Sequence, residues 1–512
     1  MKKSIMTKAA LFMAFIMMLT TGCASKKEET KAGKDTLTVV ISQDPDGFDP
    51  NANTNFAPHQ VKSQIYETLV RLDENNEVQP CLAESWEYED DQTLIFKLRK
   101  GVKFHNGEEL KASDVIFSYK RAFDDKTAGY INLTNMDIDK CEAVDDYTVR
   151  IVTKGPYSMQ LNLLENPLVS IFSQKAYEES GGDFSEPVGT GPYKLKEYFP
   201  GDRVELSAFE DYWGKDEPKI KNLVFRVITE SASRAIAAET GEADIVYDIA
   251  STDIERLEKA EKVDMVREIS ANTRYVSINT EAKPYDEPKV REALKYAIDR
   301  PSAVKVAWGD FGKVANGLVN DGIAGASENL SEYFVERDVE KAKALLKEAG
   351  YPDGFKTSIL CSNADQESMS FCEAIQSQLA EVGITLEIKA EEPTAWVEDS
   401  LGGRGELSIY GFTASTGEAG KILIRFLSDA NEFGMYHWNS PEFDGIMAKA
   451  LQTIDDDERN KLFDEAQKMV MEAGIAIPIW QKELAIATSK NVEGFQCSVA
   501  YESHILKDVS FK

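Results

Sequence analysis

The side chains best suited to nucleophilic or metal chemistry are few and scattered in this sequence of 512 residues. No two cysteines have a CxxC spacing, and no histidine has a second histidine or a cysteine three or four residues away, so the sequence predicts no metal site. GxSxG and HExxH motifs are absent as well. We therefore expect no cofactor. A glycosidase-like pair of catalytic carboxylates remains an open alternative, because so acidic a chain contains many carboxylate pairs. The residues concerned are Cys23, Cys81, Cys141, Cys361, Cys372, Cys497, His59, His105, His437 and His504.

Cysteine usage leaves one pairing question open. Five cysteines follow Cys23, and an odd number in an exported protein cannot all form disulfides. Cys361 and Cys372 could be bridged, or both could be free and buried.

Cys23 stands apart because of the residues that precede it. Lysines near the N terminus are followed by an uncharged apolar run, residues 9–21, that is too short to span a bilayer as a mature helix. The run leads into LTTGC, which resembles a bacterial lipobox, although Thr20 stands where an aliphatic residue is usual. We expect a lipoprotein signal peptide over 1–22 and a lipidated flexible tether over 23–35. The alternative is an ordinary secretory signal with a chance cysteine.

The charge balance argues against two classes of partner. Lys and Arg number 58 against 88 Asp and Glu, a formal net charge of −30. Nucleic acid binding needs clustered cations to neutralise phosphates, and an anionic lipid surface attracts basic segments. We therefore expect no nucleic acid partner, and we expect membrane association to depend on the lipid anchor.

Short β-branched runs alternate with helical periods along the rest of the chain. This alternation favours α/β lobes over β-sandwiches. The pattern predicts strands at 36–41, 148–152, 274–279, 384–388 and 475–480, a hairpin over 82–98, and helices over 60–72, 231–242, 338–349, 371–382 and 455–473.

Several segments share their order and spacing with one known family. The densest stretch is 82–121, with LRKGVKFHNG at 98–107 at its centre. GTGPYKL at 189–195, DYWG at 211–214 and DVEKAKALLKEAGY at 338–351 also match. Together they resemble the extracytoplasmic solute-binding proteins of ATP-driven importers, family 5, the peptide/nickel group. The GTG triplet is not a phosphate-binding loop, because it lacks the Gly-Lys-Ser/Thr ending, and we interpret it as a strand entry near a hinge.

The resemblance implies an α/β, two-lobed, periplasmic-binding-protein-like fold of type II, with an extra subdomain inserted in the first lobe. Lobe 1 is expected over 36–273 plus 481–512, with the inserted subdomain at about 81–187. Lobe 2 is expected over 274–480, so that the chain crosses the hinge twice.

The resemblance also implies ligand-binding positions. Trp396 matches a tryptophan at a helix start in lobe 2, and Phe412 matches the aromatic residue of a glycine-aromatic pair. In peptide-binding relatives an aspartate three residues further holds the ligand's amino group, but here that position is Ser415. A serine cannot offset the desolvation of an ammonium group, so either Glu418 substitutes for it or the ligand has no free amine. Asn55 and Phe56 are weaker candidates from lobe 1.

The function implied is that of a substrate-binding lipoprotein, held on the extracytoplasmic face of a bacterial cell membrane. It would capture peptides or peptide-like solutes as a monomer and deliver them to the permease and ATPase subunits of an ABC importer. Alternatives are a non-peptide solute, such as an oligosaccharide or an opine-like compound, or a ligand-sensing receptor subunit. We expect no enzymatic activity.

Overall fold

The protein is described by a computed structural model over residues 34–45, 47–52, 56–73, 76–328, 330–429, 434–497 and 505–512. Residues Thr36–Lys512 belong to one unit by their contacts. The strands, in chain order, are β1 Thr36–Ile41, β2 Val70–Leu72, β3 Val78–Pro80, β4 Ala83–Asp90, β5 Thr93–Leu98, β6 Glu142–Asp145, β7 Thr148–Val152, β8 Tyr193–Phe199, β9 Arg203–Ala208, β10 Asn222–Val227, β11 Ile245–Val246, β12 Val263–Ile278, β13 Lys313–Val314, β14 Lys356–Ser362, β15 Thr385–Glu391, β16 Leu407–Thr413, β17 Ala476–Ser489, β18 Val492–Glu493 and β19 Ser510–Phe511.

Helices fill the connections, and several begin at the polar residue that the sequence signals. Asp338, Asp365 and Asp455 each accept a hydrogen bond from a backbone N–H of the first helical turn, as N-caps do. No helix in the described ranges is long and apolar enough to cross a membrane. The helices are α1 Phe56–Lys62, α2 Ala112–Asp124, α3 Gln160–Leu163, α4 Gln174–Glu179, α5 Ser231–Thr240, α6 Ser251–Glu258, α7 Pro288–Ala297, α8 Arg300–Trp308, α9 Val339–Glu348, α10 Gln366–Ala380, α11 Pro393–Leu401, α12 Gly420–Leu423, α13 Pro441–Gln452 and α14 Asp456–Ala473.

Eleven strands form one sheet, in the order β15-β14-β16-β12-β17-β11-β1-β10-β9-β8, with β13 also paired to β17. We call the part built around β1, β10 and β11 lobe 1, and the part built around β14, β15 and β16 lobe 2. The buried members of two apolar cores all lie between residues 271 and 480. Two other cores combine residues 37–263 with residues from 485 onward. Each lobe therefore has its own hydrophobic interior.

Strands β12 and β17 connect the two lobes. They pair antiparallel, with Val263 opposite Ser489 in lobe 1 and Ser277 opposite Ala476 in lobe 2. The register shifts between Ile269 and Thr273, so the pairing is irregular where the strands pass from one lobe to the other. Sequence periodicity predicted only the lobe 2 ends of these strands, because their lobe 1 ends alternate less clearly.

A second, four-stranded antiparallel sheet, in the order β4-β5-β7-β6, forms the inserted subdomain. Helix α2 buries Val115, Tyr119 and Ala122 in its core, whose buried members lie between residues 69 and 171. The predicted hairpin over 82–98 is confirmed by β4 and β5.

The predicted helix over 60–72 is wrong beyond Lys62. Helix α1 ends at Lys62, and the chain forms strand β2 from Val70. The carbonyls of Gln64 and Ile65 accept hydrogen bonds from the backbone near the GTG triplet, so they cannot continue a helix. Gly189 makes this approach possible, because a Cβ there would lie 2.0 Å from the Ile65 carbonyl oxygen.

Glu67 joins this same region to two of the family-like segments. Its buried carboxylate accepts hydrogen bonds from Thr190 Oγ1 at 2.8 Å, Tyr212 OH at 2.9 Å and Trp213 Nε1 at 2.7 Å. Burial raises the pKa of Glu67, and the three hydrogen bonds oppose that rise. The GTG and DYWG segments therefore meet on one buried carboxylate within lobe 1.

His105, within the HNG turn, packs against the same triplet. Its Nε2 lies 2.9 Å from the Gly191 carbonyl oxygen, which requires that Nε2 carries the proton and donates. The ring lies edge-on to Phe209 at 5.0 Å. Burial lowers the pKa of His105 to about 4, so the folded protein holds this imidazole neutral.

We expect the His105 environment to make stability depend on pH between about 6.5 and 4. In that window the unfolded chain binds a proton on His105 and the folded chain does not, so stability falls as the pH falls. The expected loss is about 3 kcal/mol, measured by urea unfolding at several pH values. His105→Gln should lose less stability than the wild type over this window. The control is His437→Gln, at an exposed side chain; equal pH slopes for wild type and His105→Gln would contradict the prediction.

Candidate functional site

The strand directions place a cleft between the lobes. Strand β17 runs from lobe 2 into lobe 1. Because β11 is antiparallel to β17 and parallel to β1, the lobe 1 strands point towards lobe 2. Strand β12 runs from lobe 1 into lobe 2. Because β16 is antiparallel to β12 and parallel to β14, the lobe 2 strands point back towards lobe 1. The carboxyl ends of both sets therefore meet beside the irregular pairing of β12 and β17. Ligands of open α/β sheets bind outside the carboxyl ends of the strands.

A cavity of about 180 Å³ lies at this junction. Strand β17 contributes one side of it, with residues 482–486. Lobe 1 adds Tyr247 and Asp248, directly after β11, and Glu367 comes from the first turn of α10. Asp248 has a φ of 54°, and Ser42 Oγ donates to its carboxylate at 2.6 Å. Both lobes thus supply polar side chains to one space.

The lobe 2 side of the cleft carries three aromatic rings in a row. Tyr410 and Phe412 lie two residues apart on β16, on the same face of the sheet, with ring centroids 5.1 Å apart. Trp396, from α11, lies 4.9 Å from Tyr410. We call these three residues the aromatic wall. The buried Trp396 Nε1 has no hydrogen-bond partner in the part of the chain that the structure describes.

Two arginines flank the aromatic wall. Arg274 lies opposite Gly411 in the β12–β16 register and pairs with Asp365 at 2.8 Å, yet its buried Nε has no hydrogen-bond partner among the described residues. The Arg425 guanidinium lies 5.1 Å from the Phe412 ring centroid. Burial raises the pKa of Tyr410, and the charges of Arg425 and Arg274 oppose the rise. The wall therefore combines apolar area with positive charge.

The structure brings two of the predicted site residues, Trp396 and Phe412, together on either side of Tyr410. Trp396 and Phe412 belong to the aromatic wall, and the half-buried Ser415 lies in the loop after β16. Periodicity could have found Tyr410, because it alternates with Phe412. Arg274 could not be found in this way, because its place depends on strand register.

Glu418 has a partner within lobe 2. Its side chain is 1% exposed, and Arg459 Nε lies 2.5 Å from its Oε1. Arg459 also pairs with Asp456 at 2.6 Å. Burial raises the pKa of Glu418, and the Arg459 charge lowers it. This geometry favours a structural role for Glu418.

Other sequence-based candidates lie outside what the structure describes. Cys23 and Asn55 are not among the described residues. Phe56 begins α1, but its side chain is not described. Cys361 and Cys372 are both buried free thiols, and a hydrogen bond that the Cys372 thiol donates to Cys361 raises the pKa of Cys372. Within the described residues, no cluster of His, Cys, Asp or Glu could hold a metal ion.

The inserted subdomain touches lobe 2 across the cleft. Asn162 Nδ2 donates to the Thr416 carbonyl at 3.0 Å, and Ser158 N donates to the Leu451 carbonyl at 2.7 Å. Asn76 Nδ2 donates to the Gly322 carbonyl at 3.3 Å. These three hydrogen bonds connect lobe 1 and its inserted subdomain to lobe 2, and one of them reaches the loop that follows β16.

Two α/β lobes with facing strand ends and an inserted subdomain define a two-lobed binding-protein fold of type II. The chain belongs to the bacterial extracellular solute-binding proteins, family 5, and the model of the family's middle region matches residues 77–434. It is thus a solute-binding protein, as the sequence predicted.

Individual relatives cover nearly the whole chain. The glutathione-binding protein GsiB of Escherichia coli O1:K1 / APEC is 34% identical over 499 residues, which are 95% of each chain. The structure of HbpA2 from Haemophilus parasuis has a TM-score of 0.84 at 28% identity, covering 93% of this chain and 100% of that one. The periplasmic binding protein DppA from Helicobacter pylori, in complex with the peptide STSA, has a TM-score of 0.78 at 27% identity, covering 93% and 98%.

We expect Glu418→Gln to lower stability more than ligand affinity. Neutralising Glu418 leaves Arg459 with the exposed Asp456 as its remaining carboxylate partner. Removing one partner of a buried ion pair costs about 3 kcal/mol. Urea unfolding measures the stability, and calorimetric titration of the folded variant measures the affinity. The control is Glu458→Gln, whose partner Lys449 is exposed, with an expected cost below about 0.5 kcal/mol. A variant of normal stability that binds ligand more than tenfold more weakly would instead assign Glu418 to the ligand.

Proposed function

We propose that this protein is the substrate receptor of an ATP-driven importer, which captures a peptide or peptide-like solute between its lobes. The observation that carries the proposal is the pair of unpartnered donors at the aromatic wall, Trp396 Nε1 and Arg274 Nε. Buried donors without partners are costly, at about 1–3 kcal/mol each. A ligand with carbonyl or carboxylate oxygens would satisfy them while its apolar parts pack on the rings.

The proposed ligand-binding residues are Trp396, Phe412 and Ser415 from the sequence, joined by Tyr410 and Arg274. Asn55 and Phe56 remain proposed contacts from lobe 1. Glu418 is the weakest of the sequence-based candidates, because Arg459 pairs with its Oε1 within lobe 2; its Oε2 has no hydrogen-bond partner among the described residues.

We place the lobe boundaries where the sequence predicted them. Lobe 1 comprises 36–273 and 481–512, with the inserted subdomain at about 81–187, and lobe 2 comprises 274–480. The separate apolar cores support this division, because their buried members change lobe near residues 271 and 480.

Closure of the lobes is the proposed signal to the membrane permease and ATPase. A solute held between two lobes contacts both only when they are closed, so it binds the closed state better and raises its population. The contacts of Asn162 and Ser158 with lobe 2 are examples of bonds that opening would break. The permease would recognise the closed form, with the receptor acting as a monomer.

The relatives favour a peptide-like ligand. Both the glutathione-binding GsiB and the peptide-bound DppA are similar to this chain over more than nine tenths of its length. An oligosaccharide or opine-like solute is the second candidate, favoured by the neutral Ser415 where a peptide's amine would need a carboxylate. A sensing role would use the same closure. Catalysis is not proposed, because the family to which the chain belongs consists of solute-binding proteins.

We expect saturable binding of glutathione or short peptides without turnover, measured by calorimetric titration, with mass spectrometry of the mixture for products. Trp396→Ala should weaken binding more than tenfold, about 1.4 kcal/mol, because both ring area and donor are lost. Trp396→Phe, which keeps a ring, should weaken it less. The control is Trp86→Phe, on β4 of the inserted subdomain. Product formation would exclude a pure receptor, and unchanged affinity in Trp396→Ala would remove the aromatic wall from the site.

We also propose lipidation at Cys23 and an extracytoplasmic, membrane-anchored location. Metabolic labelling with a fatty-acid analogue should mark the wild type and not Cys23→Ser, and the variant should leave the membrane fraction. Burial of acyl methylenes, at about 0.8 kcal/mol each, is the expected source of the anchoring. An unlabelled wild type would favour an ordinary secretory signal.

A further inference from the structure

Lys421 is a buried cation that the function proposed above does not use. It lies in α12, directly after the loop that contains Ser415, and is 8% exposed. Its ammonium group makes no hydrogen bond or ion pair within the described residues. An ammonium group taken out of water without a partner is strongly unfavourable. Burial lowers the pKa of Lys421 to about 8, which still leaves it mostly protonated at pH 7.

The surroundings of Lys421 are positive and polar. Arg425, four residues on, adds a second positive charge that disfavours protonation of Lys421. Thr416 is fully buried, and its Oγ1 has no hydrogen-bond partner in the described part of the chain. Ser415 adds no charge. The charge of Glu165, in the inserted subdomain, opposes the effect of burial and raises the pKa of Lys421.

These groups lie where the two sides of the cleft meet. Asn162 bonds to the Thr416 carbonyl, so the 162–165 segment lies against the loop that precedes Lys421. Arg425 extends the positive region to the Phe412 ring of the aromatic wall. Opening of the lobes would expose this region to solvent and to an entering ligand.

We infer that Lys421 and the Thr416 hydroxyl bind a carboxylate of the ligand, so that this receptor selects acidic peptide-like solutes. The inference rests on the proposed function and narrows it. A ligand carboxylate would bring a second negative charge to Lys421, besides that of Glu165, and an acceptor for Thr416 Oγ1. The end of the ligand beside Ser415 would then be anionic, which accounts for a serine at a position where an amine would require an acid.

The test uses glutathione, which has two carboxylates, together with its glycine monoethyl ester and its diethyl ester. Full-length wild type, Lys421→Gln and Lys421→Arg are titrated with each compound at pH 7. We expect Lys421→Gln to bind glutathione at least tenfold more weakly than wild type and to bind the diethyl ester equally well. Lys421→Arg should recover part of the affinity, because it restores the charge.

The inference would be overturned if Lys421→Gln lost the same affinity for glutathione and for its diethyl ester, or lost none for either compound. The proposed function would still stand in both cases. If wild type binds none of the three compounds, nor trialanine, both the inference and the peptide-binding function fail.

A measurement without ligand separates a ligand-binding lysine from a structural one. Lys421→Met replaces an unpartnered buried charge by an apolar side chain of similar length, so its ligand-free melting temperature should equal or exceed that of the wild type. A fall of several degrees would show that Glu165 holds the ammonium group in the empty protein, and it would overturn the inference.

Discussion

The antiparallel pairing of β12 with β17 is the constraint on which the site depends. Because these two strands run through both lobes, every other strand of the eleven-stranded sheet takes its direction from them, directly or through a neighbour. The lobe 1 strands must then end facing the lobe 2 strands. The cleft is thus a consequence of topology, and side chains such as Tyr410 and Arg274 reach it because of the register in which their strands pair.

The segments that look most like the family are those that hold lobe 1 together. Thr190, Tyr212 and Trp213 come from two such segments and meet on the carboxylate of Glu67, while His105 from a third bonds to the Gly191 carbonyl. A buried carboxylate needs several donors at fixed positions, which restricts the sequence around it. Resemblance in these segments therefore identifies the scaffold and says little about the solute.

Local sequence signals predicted the elements that local chemistry determines. The strand at Thr36–Ile41 and the helix capped by Asp455 are found as expected. The helix predicted over 60–72 failed because its carbonyls bond to residues more than a hundred positions away, which no local pattern contains. The same limit applies to the site: Phe412 followed from resemblance, whereas the neighbours of Arg274 and Lys421 depend on long-range packing.

The buried cores of lobe 2 come from one uninterrupted stretch of chain, between residues 271 and 480. Lobe 1 is interrupted once, and its two pieces meet where β1 and β17 flank β11. A single recombination event that replaced this stretch would exchange the aromatic wall, Arg274 and Lys421 together. The hydrogen bonds of Glu67 in lobe 1 would stay intact. New solute specificities could therefore arise in this architecture by transfer of one contiguous segment onto an unchanged scaffold.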